Sequence, residues 1–394
     1  MKKFLILLAA VCGLSLAADV PDKPLFKVFD AVCRDNYGKN TLFSPWGIQQ
    51  CFGMVYGGAG KVSGGEFERV LGIDKAAVKE FRQAAFELKK TQAKFNSFNA
   101  VLFNKKYTLK ESFIRHAVNQ CGGKLYRLDM ARKKECVQML NDMVKRESSG
   151  LFDNVFTPQT LMGDPAMILL NVLYFKDAWG YEFQKYATCK EDFTVPSKNW
   201  ERLHHSRVDM MNCKRYVPYY NDGKVHGIVL DYADRRFKMM VLTTVNPLET
   251  PEKITALLAA KGIRHIVSNS SSKNKTAVKL PKLDISGEVD LKTLFSKLGM
   301  KSTFDPVLGD LTDAVQEHTL YIAQAKQLVK LKLDENGTEA AAVTYAVAET
   351  AAAMPVKNIK LNRFYADHPF VLVLFDHQTQ AVLFIAAVWH PSHK

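Results

Sequence analysis

The chain has 394 residues, with 54 Lys or Arg against 40 Asp or Glu, a formal net charge of +14 and a hydrophobic fraction of 47%. That apolar content supports a large folded core and excludes a disordered or low-complexity chain. Length alone suggests two or three domains at about 150 residues each, yet no internal repeat and no Pro- or Gly-rich linker marks a boundary.

The first stretch, MKKFLILLAAVCGLSLAADV, has a basic start at Lys2 and Lys3, an apolar run from Phe4 to Leu16 and a small-x-small site at Ser15-Leu16-Ala17. It reads as a secretory signal peptide, residues 1–17, cleaved after Ala17 or else Ala18. A secreted, extracellular chain of residues 18–394 is therefore expected. No later apolar run is long enough to span a bilayer, and removal of Lys2 and Lys3 leaves a charge of +12. Cys12 leaves with the leader, and Cys33, Cys51, Cys121, Cys136, Cys189 and Cys213 remain. Six thiols in an oxidising compartment permit up to three bridges in any of 15 connectivities, although a chain this long does not require them. None forms a CxxC pair or a Cys/His cluster with zinc spacing, so no metal is expected.

GGAGK at Gly57–Lys61 is glycine-rich but lacks the spacing and the terminal GK[ST] of a phosphate loop. The residues from Ala76 to Gln92 carry a helical pattern, and Lys75, Lys79, Arg82 and Lys89 then share one stripe with Lys90 at its edge. On a basic secreted protein such a stripe suits a heparin-like glycosaminoglycan, but a solvated face is the plainer reading, since Glu80 and Glu87 are interspersed. His204-His205 is an adjacent pair that reads as surface histidines. NSSSKNK, Asn269 to Lys275, reads as a polar loop with N-glycosylation sequons at Asn269 and Asn274. There is no GxSxG elbow and no HExxH, and no catalytic constellation emerges. The chain is expected not to be an enzyme.

From Leu333 to Pro355 the sequence is LDENGTEAAAVTYAVAETAAAMP. Alanine favours helix, but the large side chains Val343, Tyr345 and Val347 alternate instead of forming a helical face. With a period of two, Thr338, Ala340, Ala342, Thr344, Ala346, Ala348 and Thr350 share a small, uncharged face. Glu339, Ala341, Val343, Tyr345, Val347 and Glu349 share the other, with every charge and every bulky group. Such a segment could lie in a sheet with its small face inward, and Gly337 supplies backbone freedom just upstream. A third sequon, Asn336, touches this proposed hinge. A glycan there would hinder insertion, so the site is expected to be unused.

Five segments resemble the serpins, the serine protease inhibitor superfamily, in the family's order. They are TLFSPWGIQQCFGMVYGGAG (Thr41–Gly60), NVLYFKDAWGYEF (Asn171–Phe183), VKLPKLDISGEVDLKTLFSKLGM (Val278–Met300), ENGTEAAAVT (Glu335–Thr344) and FYADHPFVLVLFDHQTQAVLF (Phe364–Phe384). The resemblance runs from about Pro24 to Pro391. It implies an α+β fold in one domain, with three β-sheets, eight or nine helices and an exposed reactive loop at about 335–358, and it overrides the two-domain estimate from length. It also implies a function: suicide inhibition of a serine protease, held as a covalent complex when the cleaved loop inserts into the central sheet. Implied hinge residues are Glu335, Gly337, Thr338, Glu339, Ala340, Ala341, Ala342 and Thr344, and implied residues controlling sheet opening are Ser44, Asn171 and Gln327. Counting Glu335 as the first residue, the seventeenth is Ala351, so Ala351-Ala352 is the expected scissile bond and an elastase-like protease the expected target. Met354 would point to a chymotrypsin-like target and Lys357 to a trypsin-like one; a cysteine protease target and a non-inhibitory carrier, chaperone or storage role remain open. The protein is expected to be a monomer with no cofactor, and neither nucleic acid nor membrane is an expected partner. Departures from the family are Gly47 for Ser, Gln327 for His and Ala386 for Gly. Gly47 is expected to remove one hydroxyl from the control of sheet opening, and Val343, bulkier than usual, falls on the outer face.

Overall fold

In the computed structural model, residues 23–91, 93–163, 165–196, 203–317, 320–338 and 360–391 are described. The expected signal peptide and most of the expected reactive loop, including Glu339, Ala340, Ala341, Ala342, Thr344, Ala351, Ala352, Met354 and Lys357, lie outside them. The described residues form eight α-helices and three sheets, as the sequence led us to expect, and none of the helices is long and apolar enough to cross a membrane.

The large sheet runs in the order Leu283–Asp290, Gln324–Asp334, Gly337–Thr338, Met167–Ala178, Lys94–Asn104 and Lys124–Leu128. Its central strand, MILLNVLYFKDA, is apolar on both faces because both are covered. Ile168, Leu170 and Val172 pack beneath the helix Lys133–Glu147 in a cluster with Leu140, Met143 and Val144. The alternate residues Leu169, Leu173 and Phe175 enter the main core. There they share the space with the helix Pro45–Tyr56, whose residues are buried from Pro45 to Val55. That helix starts where it does because the Ser44 hydroxyl accepts a hydrogen bond from the Gly47 N–H, with Pro45 in the first turn.

A second six-stranded sheet contains the C-terminal hairpin Phe370–Asp376 and Val382–Val388, and a four-stranded sheet carries Asn362–Tyr365, Lys275–Pro281, Leu203–Tyr216 and Cys189–Pro196. Asp376, fully buried, forms an ion pair with Arg236 at 2.8 Å and ties the hairpin to the turn before Phe237–Thr244.

One local expectation changes. The basic helix spans Lys75–Leu88, shorter than the 76–92 pattern at its C-terminal end. The chain must turn there to enter the strand at Lys94, and Thr91 anchors that turn through Asp234 at 2.7 Å. Lys89 and Lys90 therefore lie past the helix end, and Lys90 is paired with Glu87 at 2.7 Å. The six cysteines are all unpaired. They sit on separate elements, and burial pushes the Cys51 thiol up to about 12.

The polar loop falls where the sequence placed it, between the helix Glu252–Ser268 and the strand Lys275–Pro281. Asn269 is exposed, with its amide donating to the His265 carbonyl at 2.8 Å, and Asn274 is half-buried. His204 and His205 are both exposed on their strand.

Candidate functional site

The site begins where the large sheet parts. Gln324–Val329 pairs in parallel with Ile168–Leu173, and the direct ladder ends there. Farther along, Gly337–Thr338 lies between the two strands, with Thr338 opposite Leu333 on one side and Asp177 on the other. The chain folds back after Asp334, whose carboxylate accepts the Asn336 N–H at 2.8 Å. Glycine is needed at the entry: Gly337 has φ of +149°, and a Cβ there would lie 2.3 Å from the Asp177 carbonyl oxygen and 2.7 Å from Ala178 Cα. Thr338, 1% exposed, meets the Tyr232 hydroxyl at 2.5 Å. Its side chain thus points to the buried face that the period-two reading assigned to it. Of the eight expected hinge residues, Glu335, Gly337 and Thr338 are brought together here, already inside or against the sheet.

Glu335 is held at the mouth of the opening. It is 3% exposed, pairs with Lys282 at 2.8 Å and accepts the Thr188 hydroxyl at 2.8 Å. Burial pushes its pKa up, but the hydrogen bonds from Lys282 and Thr188 outweigh that and hold it below the usual glutamate value. Trp179 clamps the same turn. Its indole N–H donates to the Asp334 carbonyl at 2.9 Å, its backbone N–H donates to the Asn336 carbonyl at 2.9 Å, and its ring stacks on Tyr232 at 4.7 Å.

Deeper in the sheet, Ser44, Asn171 and Gln327 meet, each 0% exposed. The Gln327 amide donates to Asn171 Oδ1 and to the Ser44 carbonyl, both at 2.9 Å, and its Oε1 accepts the Ser44 N–H at 2.8 Å. Asn171 in turn donates to Asn99 Oδ1 at 2.8 Å. Gln327↔Asn171 is a register pair of the parallel ladder, so the network fastens the closed part of the sheet to itself and to the helix beneath. An amide that both donates and accepts is suited to this position. At Gly47 the structure adds what the sequence could not show. A Cβ there would fall 2.1 Å from Asn171 Oδ1, so glycine leaves no vacancy; the Asn171 side chain fills the space a side chain at position 47 would need.

Thr188, Tyr232, Asp177 and Asn99 were not singled out from the sequence, whereas Trp179 and Lys282 fall within segments that carry the resemblance to the family. The contacts they make here join distant segments, which no local spacing encodes. Asp177 has Oδ1 occupied by the Ala178 N–H at 2.9 Å, while Oδ2 is buried with no partner among the described residues. Burial first, and the nearby Asp234 charge second, push its pKa up to about 6.

A family model described as Serpin (serine protease inhibitor) matches residues 24–391. This chain is a serpin. A serpin-like protein of Thermococcus kodakarensis is 26% identical over 385 residues, covering 94% of this chain and 87% of that one. Alpha-1-antitrypsin of Sus scrofa is 26% identical over 380 residues, covering 94% and 86%. Among solved structures, native protease nexin-1 with heparin superposes with a TM-score of 0.82 at 20% identity, covering 95% of this chain and 98% of that one. The thermophilic serpin tengpin in its native state gives 0.81 at 21% identity, covering 93% and 92%. At these identities the structural likeness establishes the fold. The serpin fold explains why the loop-bearing strand, the sheet opening and the buried amide network occupy one sheet, and serpins as a family are protease inhibitors, not catalytic enzymes.

Gln327→Leu is expected to strand the Ser44 N–H and Asn171 Oδ1, while the Ser44 carbonyl keeps the Ile48 N–H, at about 1–3 kcal/mol for each group left unsatisfied. A urea midpoint unchanged from the parent would refute the fastening role. Gly47→Ser is expected to displace Asn171 and destabilise by about 1–3 kcal/mol through overpacking, read by the same titration. Asp177 gives a pH signature. Its folded pKa of about 6 lies above the unfolded value of about 3.9, so the folded chain holds that proton more tightly. The resulting stability is complete below about pH 4 and is lost as pH rises through about 6. Asp177→Asn should therefore raise the melting temperature at neutral pH and lose that advantage in acid; equal shifts at both would refute the assignment.

Proposed function

We propose that this chain is a secreted suicide-substrate inhibitor of serine proteases, in a mature form comprising residues 18–394. One observation carries the reading: Gly337–Thr338 is already paired between the two central strands, with Thr338 on the core side. The segment that follows in sequence alternates small residues with large or charged ones in the same parity. Insertion of a strand of that pattern would bury only Ala and Thr, where a larger or charged residue would overpack the core or be stranded without a partner.

The chemistry belongs to the protease. Its serine Oγ attacks the carbonyl carbon of Ala351, the bond to the Ala352 nitrogen breaks, and the released amine takes the proton. The acyl-enzyme ester then remains on Ala351. Insertion of residues after Thr338 would carry that ester and the attached protease along the sheet. Loss of a single oxyanion-hole donor slows such enzymes by about 10²–10³-fold, so distortion of the protease active site would leave the ester unhydrolysed. Alanine on the acyl side suits a shallow apolar pocket, hence an elastase-like target, with Met354 and Lys357 marking the chymotrypsin-like and trypsin-like alternatives. Lys75, Lys79, Arg82, Lys89 and Lys90 form an exposed basic surface that would recruit a heparin-like glycosaminoglycan. Asn269, the more exposed of the two loop asparagines, is the better candidate for N-glycosylation.

The test is incubation with elastase-, chymotrypsin- and trypsin-like proteases, followed by denaturing gels and the mass of the released C-terminal peptide. A gel-stable complex and a peptide beginning at Ala352 are expected with the elastase-like enzyme. Cleavage without a complex under every protease and stoichiometry would instead favour a non-inhibitory serpin. Thr338→Arg places a charge under the sheet at the first inserted residue and is expected to convert the inhibitor into a substrate, with the stoichiometry of inhibition rising at least severalfold. Glu339→Arg, on the opposite parity, is expected to inhibit like the parent; equal behaviour of the two variants would refute the face assignment.

A further inference from the structure

Asp177 belongs neither to the buried amide network nor to the clamp on Glu335, yet it lies directly opposite the seated hinge. It is the antiparallel register partner of Thr338, as Ala178 is of Gly337. Side chains directly opposite in such a pair share one face of the sheet, and Thr338 points to the core, where it meets the Tyr232 hydroxyl at 2.5 Å. The Asp177 carboxyl therefore turns the same way, in alternation with Leu169, Leu173 and Phe175. Its Oδ1 accepts the Ala178 N–H at 2.9 Å, and its Oδ2 is buried with no partner among the described residues. An ionised carboxylate in that position carries the desolvation cost of an unpaired charge, whereas the neutral acid carries far less.

Among the described residues, the neighbouring cations are engaged elsewhere, exposed or on the other face. From the turn after Val225–Asp231, Tyr232 faces Thr338 and Asp234 adds a second negative charge. Asp234 is itself held by the Thr91 hydroxyl at 2.7 Å and by the Arg236 and Phe237 N–H groups at 2.9 and 3.2 Å. In the same turn Arg235 is exposed, and the Arg236 guanidinium is taken up by Asp376 and the Glu87 carbonyl. Lys238 is paired with Asp231, and Lys90 with Glu87. His377 lies beyond Arg236, among Lys238, Asp231 and Asp376. Lys176 and its register partner Lys94 fall on the opposite face by alternation. On the hinge side, Glu335 is held by Lys282 and Thr188, and Asp334 by the Asn336 N–H. Burial first and the Asp234 charge second therefore push the Asp177 pKa up to about 6, against the backbone N–H groups of Ala178 and Asp234, which pull it down.

We propose that Asp177 is a proton-operated switch on the hinge: neutral, it leaves Gly337–Thr338 seated between the central strands, and ionised, it drives them out. Lifting Gly337–Thr338 away uncovers the edge of Met167–Ala178 at Asp177, where water can then solvate the charge. Seating therefore takes up a proton. A carboxyl whose pKa is raised in the seated state favours that state in acid, and the advantage is lost as pH rises through about 6. On the insertion reading given above, on which this regulation rests, acid favours the first step of loop entry and neutral pH restrains it.

Hydrogen–deuterium exchange on the full mature protein, with no protease present, tests it between about pH 5 and pH 8, with amide rates corrected for the intrinsic pH dependence of exchange. In the parent, protection of the Asn336–Thr338 amides is expected to fall by about tenfold from about pH 5 to about pH 8. In Asp177→Asn it should stay at the acid level throughout, and in Asp234→Asn, which removes the neighbouring negative charge, the fall should begin at lower pH. Amides of the closed ladder at Gln324–Val329 should remain protected at every pH, which confines the change to the hinge. Trp179 emission should follow the same transition, because its indole N–H donates to the Asp334 carbonyl and its ring stacks on Tyr232. The proposal is overturned if the parent shows no fall, if Asp177→Asn falls like the parent, or if His377→Gln abolishes the fall. Exchange follows the uncleaved chain, so a serpin that traps no protease could still show the transition, and failure here leaves the trap untouched.

Discussion

The large sheet is fastened at one end and parted at the other, and the functional geometry follows from that constraint. Between Gln324–Val329 and Ile168–Leu173 the two central strands satisfy each other's backbone groups directly. Past Val329 and Leu173 they do so only through an intervening strand, and in the described residues that strand is two residues long. Backbone N–H and C=O groups on strand edges demand partners. A sheet parted in this way leaves edge groups that a further strand could pair, which is the basis of the insertion proposed above.

Two polar arrangements set how readily that affinity can be used. The Gln327 amide, fully buried and engaged at both ends, links the closed ladder to the helix below it. A network of this kind is stable while complete and costly when broken, which makes it a suitable restraint on strand separation. At the mouth, Glu335 is pinned by Lys282 and Thr188 while Trp179 holds the turn. Between the two lies Asp177, with one oxygen buried and unpartnered, a local weakness beside the point of entry. The sheet thus combines a well-satisfied restraint with an edge that carries, among the described residues, one buried unpartnered carboxylate oxygen.

The basic surface has a different physical character. Its charges are exposed, so their influence is broad and weakened by salt. Lys61, Lys75, Lys79 and Arg82 line one cleft, and all four are exposed to solvent.

Much of this was readable from residue order. The period-two alternation after Gly337 placed Thr338 on an inner face, because side chains in a strand can point only two ways. The polar loop between Asn269 and Lys275 was likewise a local signal, while the strand around Asn171 and the helix after Ser44 came into view only through the resemblance to the family. Five short segments in order were enough to indicate the family and the three-sheet fold. What the sequence alone left undecided depends on which distant atoms meet. The partnership of Glu335 with Lys282, the stacking of Trp179 on Tyr232 and the occupation of the space beside Gly47 by Asn171 join segments far apart in the chain. Gly47 looked like a missing hydroxyl because sequence reports what a residue lacks; tertiary packing decided that the space was already taken.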